Sequence, residues 1–356
     1  MLSSIQRQKT LHMKCSFKLQ GIVPAALAAA RKRTARLARS RTAGLALFLA
    51  LCPAVTVLAD VLTTDTIGSV EVEIRRAGEG TYPLVIFSHG MGGCPGSNDG
   101  ILSALADRGF IVVAPKHEDC ISGSTTPDVA WSDPSNWTDL TNSDRRDDIH
   151  AVLDALPYSN YAQYVEDFER VGCMGYSMGG YTCMGLAGAW STWTRDEIRT
   201  VAALSPWHRP YLVQDRVGGM TNDQTLYQGG TRDIAITPQL IQSNGTYDQT
   251  WPARYVQVFD GAGHFAWRDG ILGEGFHSQM SHYIGSFFDA YLKNGSTESL
   301  EAMESLVSTL DFEHDTDGDR VGDSIDNCPL VANPDQTPST ISPGQGQACE
   351  DLPPGC

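Results

Sequence analysis

Basic side chains are scarce in most of this sequence. Ten of its 26 Lys and Arg, but none of its 42 Asp and Glu, lie in residues 1–59, so the rest of the chain carries 16 bases against 42 acids, a net charge of −26. A surface this acidic repels phosphate, which argues against a nucleic-acid-binding protein. It suits a secreted protein, and part of the acidic excess is available to bind a cation.

Long apolar runs are also lacking. The apolar stretch at residues 43–57 contains Pro53 and is shorter than the roughly 20 residues that a membrane-spanning helix needs. It follows a basic stretch at residues 31–41 and ends in small residues, which is typical of a secretory signal peptide cleaved near Ala59. A membrane anchor is the alternative. We expect residues 1–59 to be removed and the protein to be secreted, periplasmic or attached to the cell surface.

Seven cysteines follow residue 59. In an oxidising compartment some of them should pair. Cys94 and Cys120 each follow a predicted strand end and could bridge two neighbouring loops, and a Cys328–Cys349 bond would close the C-terminal segment. The odd number leaves at least one thiol unpaired or intermolecular, and the connectivity stays open at this point.

Between residues 69 and 290, short β-branched runs alternate with helical stretches. The predicted strands are residues 69–75, 83–88, 110–115, 170–177, 200–206, 224–230 and the run that begins at 254, and the predicted helices are residues 97–109, 143–156 and 278–295. This alternation predicts an α/β protein with a doubly wound, mostly parallel sheet. Two long irregular stretches, 118–142 and 206–223, follow carboxyl ends of strands, where such sheets place their sites.

The sequence Gly-Tyr-Ser-Met-Gly at residues 175–179 fits the G-x-S-x-G pattern of a nucleophile elbow. In that turn a serine joins a strand to a helix, and the flanking glycines allow the helix to pass close to neighbouring strands. An apolar strand precedes Ser177 and a helical run follows it. A tight packing turn is the alternative, but this context favours Ser177 as a nucleophile.

A serine hydroxyl needs a base to take its proton and an acid to orient that base. In this type of sheet the order along the chain is Ser, then Asp or Glu, then His. Asp233 and His264 each lie just beyond a predicted strand and in that order. Asp260 is the competing acid. His150, His277 and His282 are weaker candidates for the base, because they lie in or beside predicted helices.

Acyl transfer also needs hydrogen-bond donors for the developing oxyanion. One is expected to be the amide of Met178, the residue after the nucleophile. The other should come from the loop after an earlier strand, which is the glycine-rich turn of residues 87–93. The amide of Met91 is the preferred donor, and that of Gly90 is the alternative.

Across residues 83–292 the chain resembles the α/β-hydrolase fold. The matching segments are VIFSHGMGG, RRDDIHAVLDAL, RVGCMGYSMGGYTCMGLAGA, ALSPW, GGTRDIAITP and GAGHFAW. Within that superfamily it is similar to secreted esterases related to platelet-activating-factor acetylhydrolase, to dienelactone-hydrolase-like proteins and to cutinase-like polyester hydrolases. Dienelactone hydrolases have a cysteine nucleophile, whereas this chain has Ser177. The resemblance implies a serine esterase that needs no cofactor for catalysis.

Aromatic residues near the predicted site point to an apolar ester. Trp131, Trp137 and Trp207 lie in the two irregular stretches, and Met91 and Met178 flank the oxyanion position. Such a pocket suits an acyl, aryl or lipid ester, including a polymer. The acyl length and leaving group stay open.

From residue 311 the composition changes to Asp, Gly, Asn and Pro. Alternating carboxylates on a glycine-containing loop can wrap a hard cation such as Ca²⁺. The run is not an EF-hand, because its twelfth position is Asp326 instead of Glu and its sixth is Arg320 instead of Gly. With its DNCP and NPDQ motifs it resembles a thrombospondin type 3 repeat. The resemblance implies a structural calcium site with these ligands: Asp315, Asp317, Asp319, Asp323, Asp326 and the carbonyl of Val321.

These observations predict a leader at residues 1–59, a catalytic domain at 60–310 and a calcium-binding tail at 311–356. The predicted function is a secreted serine carboxylic-ester hydrolase, whose tail attaches it to a cell surface or matrix. A catalytically silent, calcium-dependent adhesion protein and a serine peptidase on the same fold are the alternatives.

Overall fold

A computed structural model describes residues 61–270 and 272–350 of the chain. The predicted signal peptide at 1–59, its cleavage site near Ala59, and Cys356 lie outside the described residues. Within the part that is described, no helix is both long enough and apolar enough to cross a membrane.

The described residues form a nine-stranded sheet. Its strands are β1 (Val61–Ile67), β2 (Val70–Arg76), β3 (Leu84–Ser88), β4 (Ile111–Pro115), β5 (Val171–Tyr176), β6 (Ile198–Leu204), β7 (Gln224–Gly230), β8 (Arg254–Phe259) and β9 (Val307–Glu313). They lie in the order β1-β2-β4-β3-β5-β6-β7-β8-β9. Strands β3 to β8 are parallel, and β1, β2 and β9 run antiparallel to their neighbours. The mostly parallel α/β sheet predicted from the sequence is therefore confirmed.

Helices cover both faces of this sheet. They are α1 (Asp99–Asp107), α2 (Glu118–Ser122), α3 (Asp144–Ala155), α4 (Met178–Met184), α5 (Arg209–Val213), α6 (Thr237–Ile241), α7 (Thr246–Gln249), α8 (His277–Leu292) and α9 (Glu298–Glu301). Successive residues of a strand point to opposite faces, so Leu84 and Ile86 pack in one core with α3 and α4. Val85 and Phe87 pack in the other core with α1 and α8.

Two antiparallel edge strands were missed by the sequence analysis. Most residues of β1 and β9 are exposed or half-buried, so neither carries the continuous apolar run that marks the central strands. Strand β9 pairs with β8 through residue Glu313. The sheet therefore continues past the predicted domain boundary at residue 310.

Three disulfides connect described cysteines. Cys94–Cys120 and Cys328–Cys349 join the pairs that the sequence favoured. The third, Cys173–Cys183, was not predicted, and it links β5 to α4 on either side of Ser177. A covalent bond thus spans the turn that holds this serine.

Candidate active site

Ser177 occupies a sharp turn between β5 and α4. Its φ of 54° and ψ of −110° lie outside the regions that residues with a Cβ prefer. Its amide donates to the carbonyl of Leu204 at 2.9 Å, and its carbonyl accepts from the amides of Tyr181 and Trp207 at 3.2 and 2.9 Å. These bonds fix the strained backbone and present the side chain at the carboxyl end of the sheet.

The glycines around this turn are required by close backbone contacts. A Cβ on Gly175 would lie 2.1 Å from the carbonyl oxygen of Gly179, and a Cβ on Gly179 would lie 1.8 Å from that of Ser88. Backbone atoms cannot retreat from such overlaps as a flexible side chain can. Helix α4 can therefore pass against β3, because Gly179 in its first turn has no side chain.

The structure brings together the three side chains that the sequence selected. Oγ of Ser177 lies 2.9 Å from Nε2 of His264, and Nδ1 of His264 lies 2.8 Å from Oδ2 of Asp233. Ser177 follows β5, Asp233 follows β7 and His264 follows β8. The carboxylate is almost fully buried, whereas the imidazole is about 29% exposed. This arrangement allows His264 to accept a proton from Ser177 while its other nitrogen is held by Asp233.

The competing residues lie elsewhere. Asp260 accepts a hydrogen bond from the hydroxyl of Thr231 at 3.2 Å. His150 is bonded to the carbonyl of Trp193, and His277 lies 3.4 Å from Asp269. The geometry therefore favours Asp233 and His264 among the candidates.

Ser205 is a member of this cluster that the sequence analysis missed. Its hydroxyl donates to Oδ2 of Asp233 and lies 3.0 Å from Nδ1 of His264. Ser205 directly follows β6 and has a positive φ of 43°. A signal was present, because a serine at the carboxyl end of a central strand lies at the edge where the other site residues meet.

The loop after β3 runs against the nucleophile. A Cβ on Gly90 would lie 2.9 Å from the ring of Tyr176 and 3.4 Å from Cβ of Ser177. Among the described residues, no acceptor is bonded to the backbone N–H of Met91. Met178 is the first residue of α4, so its N–H has no acceptor within the helix. The N–H of Gly90, the alternative donor, is likewise bonded to no acceptor among the described residues. The loop therefore offers the N–H of Met91 or of Gly90 in addition to that of Met178.

A buried ion pair lies behind this loop. The guanidinium of Arg145, on α3, donates to the carbonyl of His89 at 2.6 Å and to both carboxylate oxygens of Asp119 at 2.8 and 2.7 Å. Asp119 also accepts from the amide of Gly92 at 2.6 Å. Burial lowers the pKa of Arg145, although Asp119 opposes this shift. The pair fixes the backbone of the loop on both sides of Met91.

Two buried histidines extend the same network. Nε2 of His117 lies 3.0 Å from Oγ of Ser88, and its Nδ1 lies 2.8 Å from Oδ2 of Asp148. His89 accepts from the amide of His117 at 3.2 Å. Burial, and then the charge of Arg145, hold the pKa of both histidines well below the usual value. They are therefore neutral parts of the support for the loop.

A cavity of about 630 Å³ opens at Ser177 and His264. Met91, Trp131, Trp207 and Phe265 give it largely apolar walls. The predicted pocket residue Trp137 does not line this cavity. It is buried with its ring centroid 5.6 Å from that of Trp131 and 5.8 Å from that of Trp207, so it supports the two tryptophans from behind. The side chain of Met178 is also buried in the core.

Three carboxylates of the C-terminal segment form a cluster. Ligand oxygens of Asp315, Asp317 and Asp319 all lie within 4.8 Å of one another. Oδ2 of Asp317 and Oδ2 of Asp326 are buried without a hydrogen-bond partner in the described structure. Burial raises the pKa of Asp315 and Asp317. Three close carboxylates, one of them with an unpartnered oxygen, fit a hard cation such as Ca²⁺.

Two other predicted ligands have different surroundings. The carboxylate of Asp323 accepts from the amide and the hydroxyl of Thr316 at 2.8 and 2.6 Å. The amide of Val321 donates to Oδ1 of Asp319 at 2.8 Å. Asp323 and Asp326 both lie outside the cluster of Asp315, Asp317 and Asp319, but only Asp326 has an unpartnered oxygen.

Comparisons with known proteins agree with this architecture. Residues 69–206 match the Chlorophyllase family, and residues 313–336 match the thrombospondin type 3 repeat. No curated protein gives a significant match to the chain. The sheet and the first match together show that the chain has the α/β-hydrolase fold, and its similarity to the Chlorophyllase family indicates a hydrolase that acts on esters.

Proposed function

We propose that this protein is a secreted serine carboxylic-ester hydrolase that acts on an apolar acyl, aryl or lipid ester. The observation that carries the proposal is the hydrogen-bonded series Ser177–His264–Asp233 at the mouth of the apolar cavity. A serine hydroxyl without an adjacent base is a weak nucleophile, whereas the hydroxyl of Ser177 faces an oriented imidazole that can accept its proton. The similarity to the Chlorophyllase family over residues 69–206 supports the same reaction class.

In this proposal Nε2 of His264 removes the proton of Ser177 as its Oγ attacks the ester carbonyl carbon. The C=O bond becomes a C–O⁻ single bond, and the amides of Met91 and Met178 donate to that oxyanion. The tetrahedral intermediate then expels the alcohol, which takes the proton from His264, and an acyl-enzyme remains. Water repeats the sequence with His264 as its base, which releases the acid and restores Ser177.

Asp233 holds the imidazole in the required tautomer. Its Oδ2 accepts the Nδ1–H of His264, so Nε2 is left unprotonated and directed at Ser177. The carboxylate also stabilises the imidazolium that forms during attack. Burial of Asp233 at 2% exposure keeps water from competing for that bond.

The C-terminal segment is proposed to bind Ca²⁺ through Asp315, Asp317, Asp319 and Asp326, with the carbonyl of Val321. The thrombospondin type 3 match and the two unpartnered carboxylate oxygens support this ligand set. Bound calcium would neutralise the mutual repulsion of the carboxylates. The segment then serves to attach the enzyme to a cell surface or matrix, and the three disulfides are compatible with such an oxidising location.

Active-site labelling tests the enzymatic proposal. A fluorophosphonate probe should modify the wild-type protein at Ser177, and Ser177→Ala should abolish both labelling and hydrolysis of 4-nitrophenyl esters. Ser243→Ala is a matched control, because Ser243 is exposed and does not line the cavity. Absence of labelling and of hydrolysis in folded wild-type protein would favour the non-catalytic binding protein instead. Rates on a series of esters of increasing acyl length would then define the substrate.

A further inference from the structure

A positively charged side chain, that of Arg268, lines the cavity at Ser177 and has no role in the proposed reaction. Among the described residues that line it, the charged side chains are Arg268 and Asp233, with His264 as the titratable base. Asp233 is bonded to His264 and Ser205. Arg268 therefore supplies the free charge of an otherwise largely apolar cavity.

The position of the guanidinium follows from its neighbours. Nη2 of Arg268 lies 3.4 Å from Oγ of Ser97, another lining residue, at the end of the loop that holds Met91. Tyr176 lines the cavity together with Arg268. Burial raises the pKa of Tyr176, and the charge of Arg268 opposes that rise. Arg268 follows the short helix His264–Trp267 directly. It thus belongs to the same wall of the cavity as the base.

The acid next to Arg268 in sequence is occupied by other groups. The adjacent Asp269 accepts from the amide of Gly100 at 3.1 Å and lies 3.4 Å from His277. In the part of the chain that is described, no ion pair includes Arg268. A guanidinium has five N–H donors, and the long contact with Ser97 engages one of them weakly. The remaining donors are available to a ligand.

We propose that the natural substrate is an ester that also carries an anionic group, such as a carboxylate, and that Arg268 binds this group. The apolar part of the substrate then packs against Trp131 and Trp207. This inference rests on the proposed function, because it names the substrate class of the same site. A partly buried guanidinium recognises a carboxylate through two parallel hydrogen bonds, which a neutral analogue cannot form.

Two pairs of esters test this on the full-length protein. The first places the charge on the acyl side, with 4-nitrophenyl hydrogen glutarate against 4-nitrophenyl pentanoate. The second places it on the alcohol side, with 4-carboxyphenyl acetate against phenyl acetate. The measured quantity is the ratio of kcat/KM for the anionic ester to kcat/KM for its neutral partner. We expect Arg268→Gln to lower this ratio about 10-fold in at least one pair, and Arg268→Lys to lower it less.

Arg232→Gln is the matched control, because Arg232 is exposed beside Asp233 but does not line the cavity. Its anionic-to-neutral ratio should stay within about twofold of the wild-type ratio. Added salt should lower the wild-type ratio, because salt screens the attraction between the guanidinium and the anionic ester. If the wild type and Arg268→Gln have equal anionic-to-neutral ratios of kcat/KM for both pairs, this inference is overturned. Hydrolysis of the neutral esters in that case would still support the proposed function. No hydrolysis of any of the four esters would overturn the proposed function and this inference with it.

Discussion

Oγ of Ser205 lies 3.0 Å from Nδ1 of His264, and both groups are bonded to the same oxygen of Asp233. The carboxylate therefore receives a second donor beside the imidazole. Because Ser205 is fully buried, water cannot readily replace its hydroxyl. The orientation of Asp233 toward His264 thus depends on a residue that is outside the three-residue series.

Replacement of Ser205 by alanine should reduce turnover without abolishing it. A hydrogen bond to a charged group contributes about 1.5–3 kcal/mol, so kcat should fall about 10- to 100-fold while KM changes little. Asp233→Asn should lower kcat further, by about 10⁴-fold, because the amide no longer selects the tautomer of His264 in which Nε2 is unprotonated. Steady-state kinetics with 4-nitrophenyl esters measure both, with Ser243→Ala as the control. An unchanged kcat in Ser205→Ala would show that the hydroxyl has no part in orienting Asp233.

The positions of Ser177, Asp233 and His264 beside one another could be predicted from the sequence, because each follows a local rule. Ser177 has a recognisable strand–turn–helix context, and parallel strands bring the carboxyl ends that precede Asp233 and His264 to one edge of the sheet. Ser205 and Arg145 were missed because their roles depend on contacts between elements that are distant along the chain. The disulfide of Cys173 also depends on such a contact, since it forms only when α4 packs beside β5.

Arg145 should stabilise the fold and the loop of Met91 together. Removing one partner of a buried ion pair leaves an uncompensated charge on Asp119, so Arg145→Met should lower the free energy of unfolding by about 3–5 kcal/mol. Among the molecules that stay folded, kcat should fall because His89 and Gly92 lose their fixed positions. Urea unfolding and kinetics at a temperature below the transition measure the two effects separately.

The neighbouring Arg146 provides the control for that prediction. In its ion pair with Asp147 the acid is 63% exposed, although Arg146 itself is half-buried. Loss of this solvated pair in Arg146→Met should cost less than about 1 kcal/mol. The double variant Arg145→Met/Asp119→Leu should recover part of the stability, because no buried charge is left unpaired. A double variant less stable than Arg145→Met alone would contradict this explanation.

His208 should make the protein less stable in acid. The imidazole is fully buried, with Nδ1 2.6 Å from the hydroxyl of Thr246 and Nε2 3.2 Å from the carbonyl of Ile236. Burial lowers the pKa of His208 from 6.5 to about 4. Between these values the unfolded chain binds a proton that the folded protein does not. The stabilising contribution is therefore lost as the pH falls from 6.5 toward 4.

Comparison with His208→Gln isolates this effect from that of other titrating groups. The wild type should lose about 2–3 kcal/mol more stability than the variant between about pH 7 and about pH 4.5. Chemical unfolding of both proteins at both pH values measures these losses. His89 and His117 are present in both proteins, so their contributions cancel when the two losses are subtracted. Equal losses in the two proteins would mean that His208 does not titrate as its burial requires.

Removal of calcium should destabilise the end of the sheet as well as the tail. Strand β9 ends at Glu313, whose carboxylate accepts from the amide of Ser324 at 3.0 Å, and the cluster begins two residues later at Asp315. The hydrogen bond between Ser324 and Glu313 therefore joins the loop to the edge of the sheet. Calcium at 100 times its Kd should stabilise the folded state by about 2.7 kcal/mol, and EGTA should lower Tm accordingly.

Two aspartates of the repeat separate specific binding from general charge screening. Asp317→Asn removes a carboxylate with an unpartnered oxygen, so its Tm should no longer respond to calcium or EGTA. Asp335→Asn removes the same charge from an exposed position that accepts a hydrogen bond from the amide of Thr337, so the response should persist. If EGTA leaves the wild-type melting curve unchanged, the carboxylates do not form a calcium site. An equal response in both variants would mean that calcium acts on the acidic surface as a whole, because a coordinating site requires Asp317 and not Asp335.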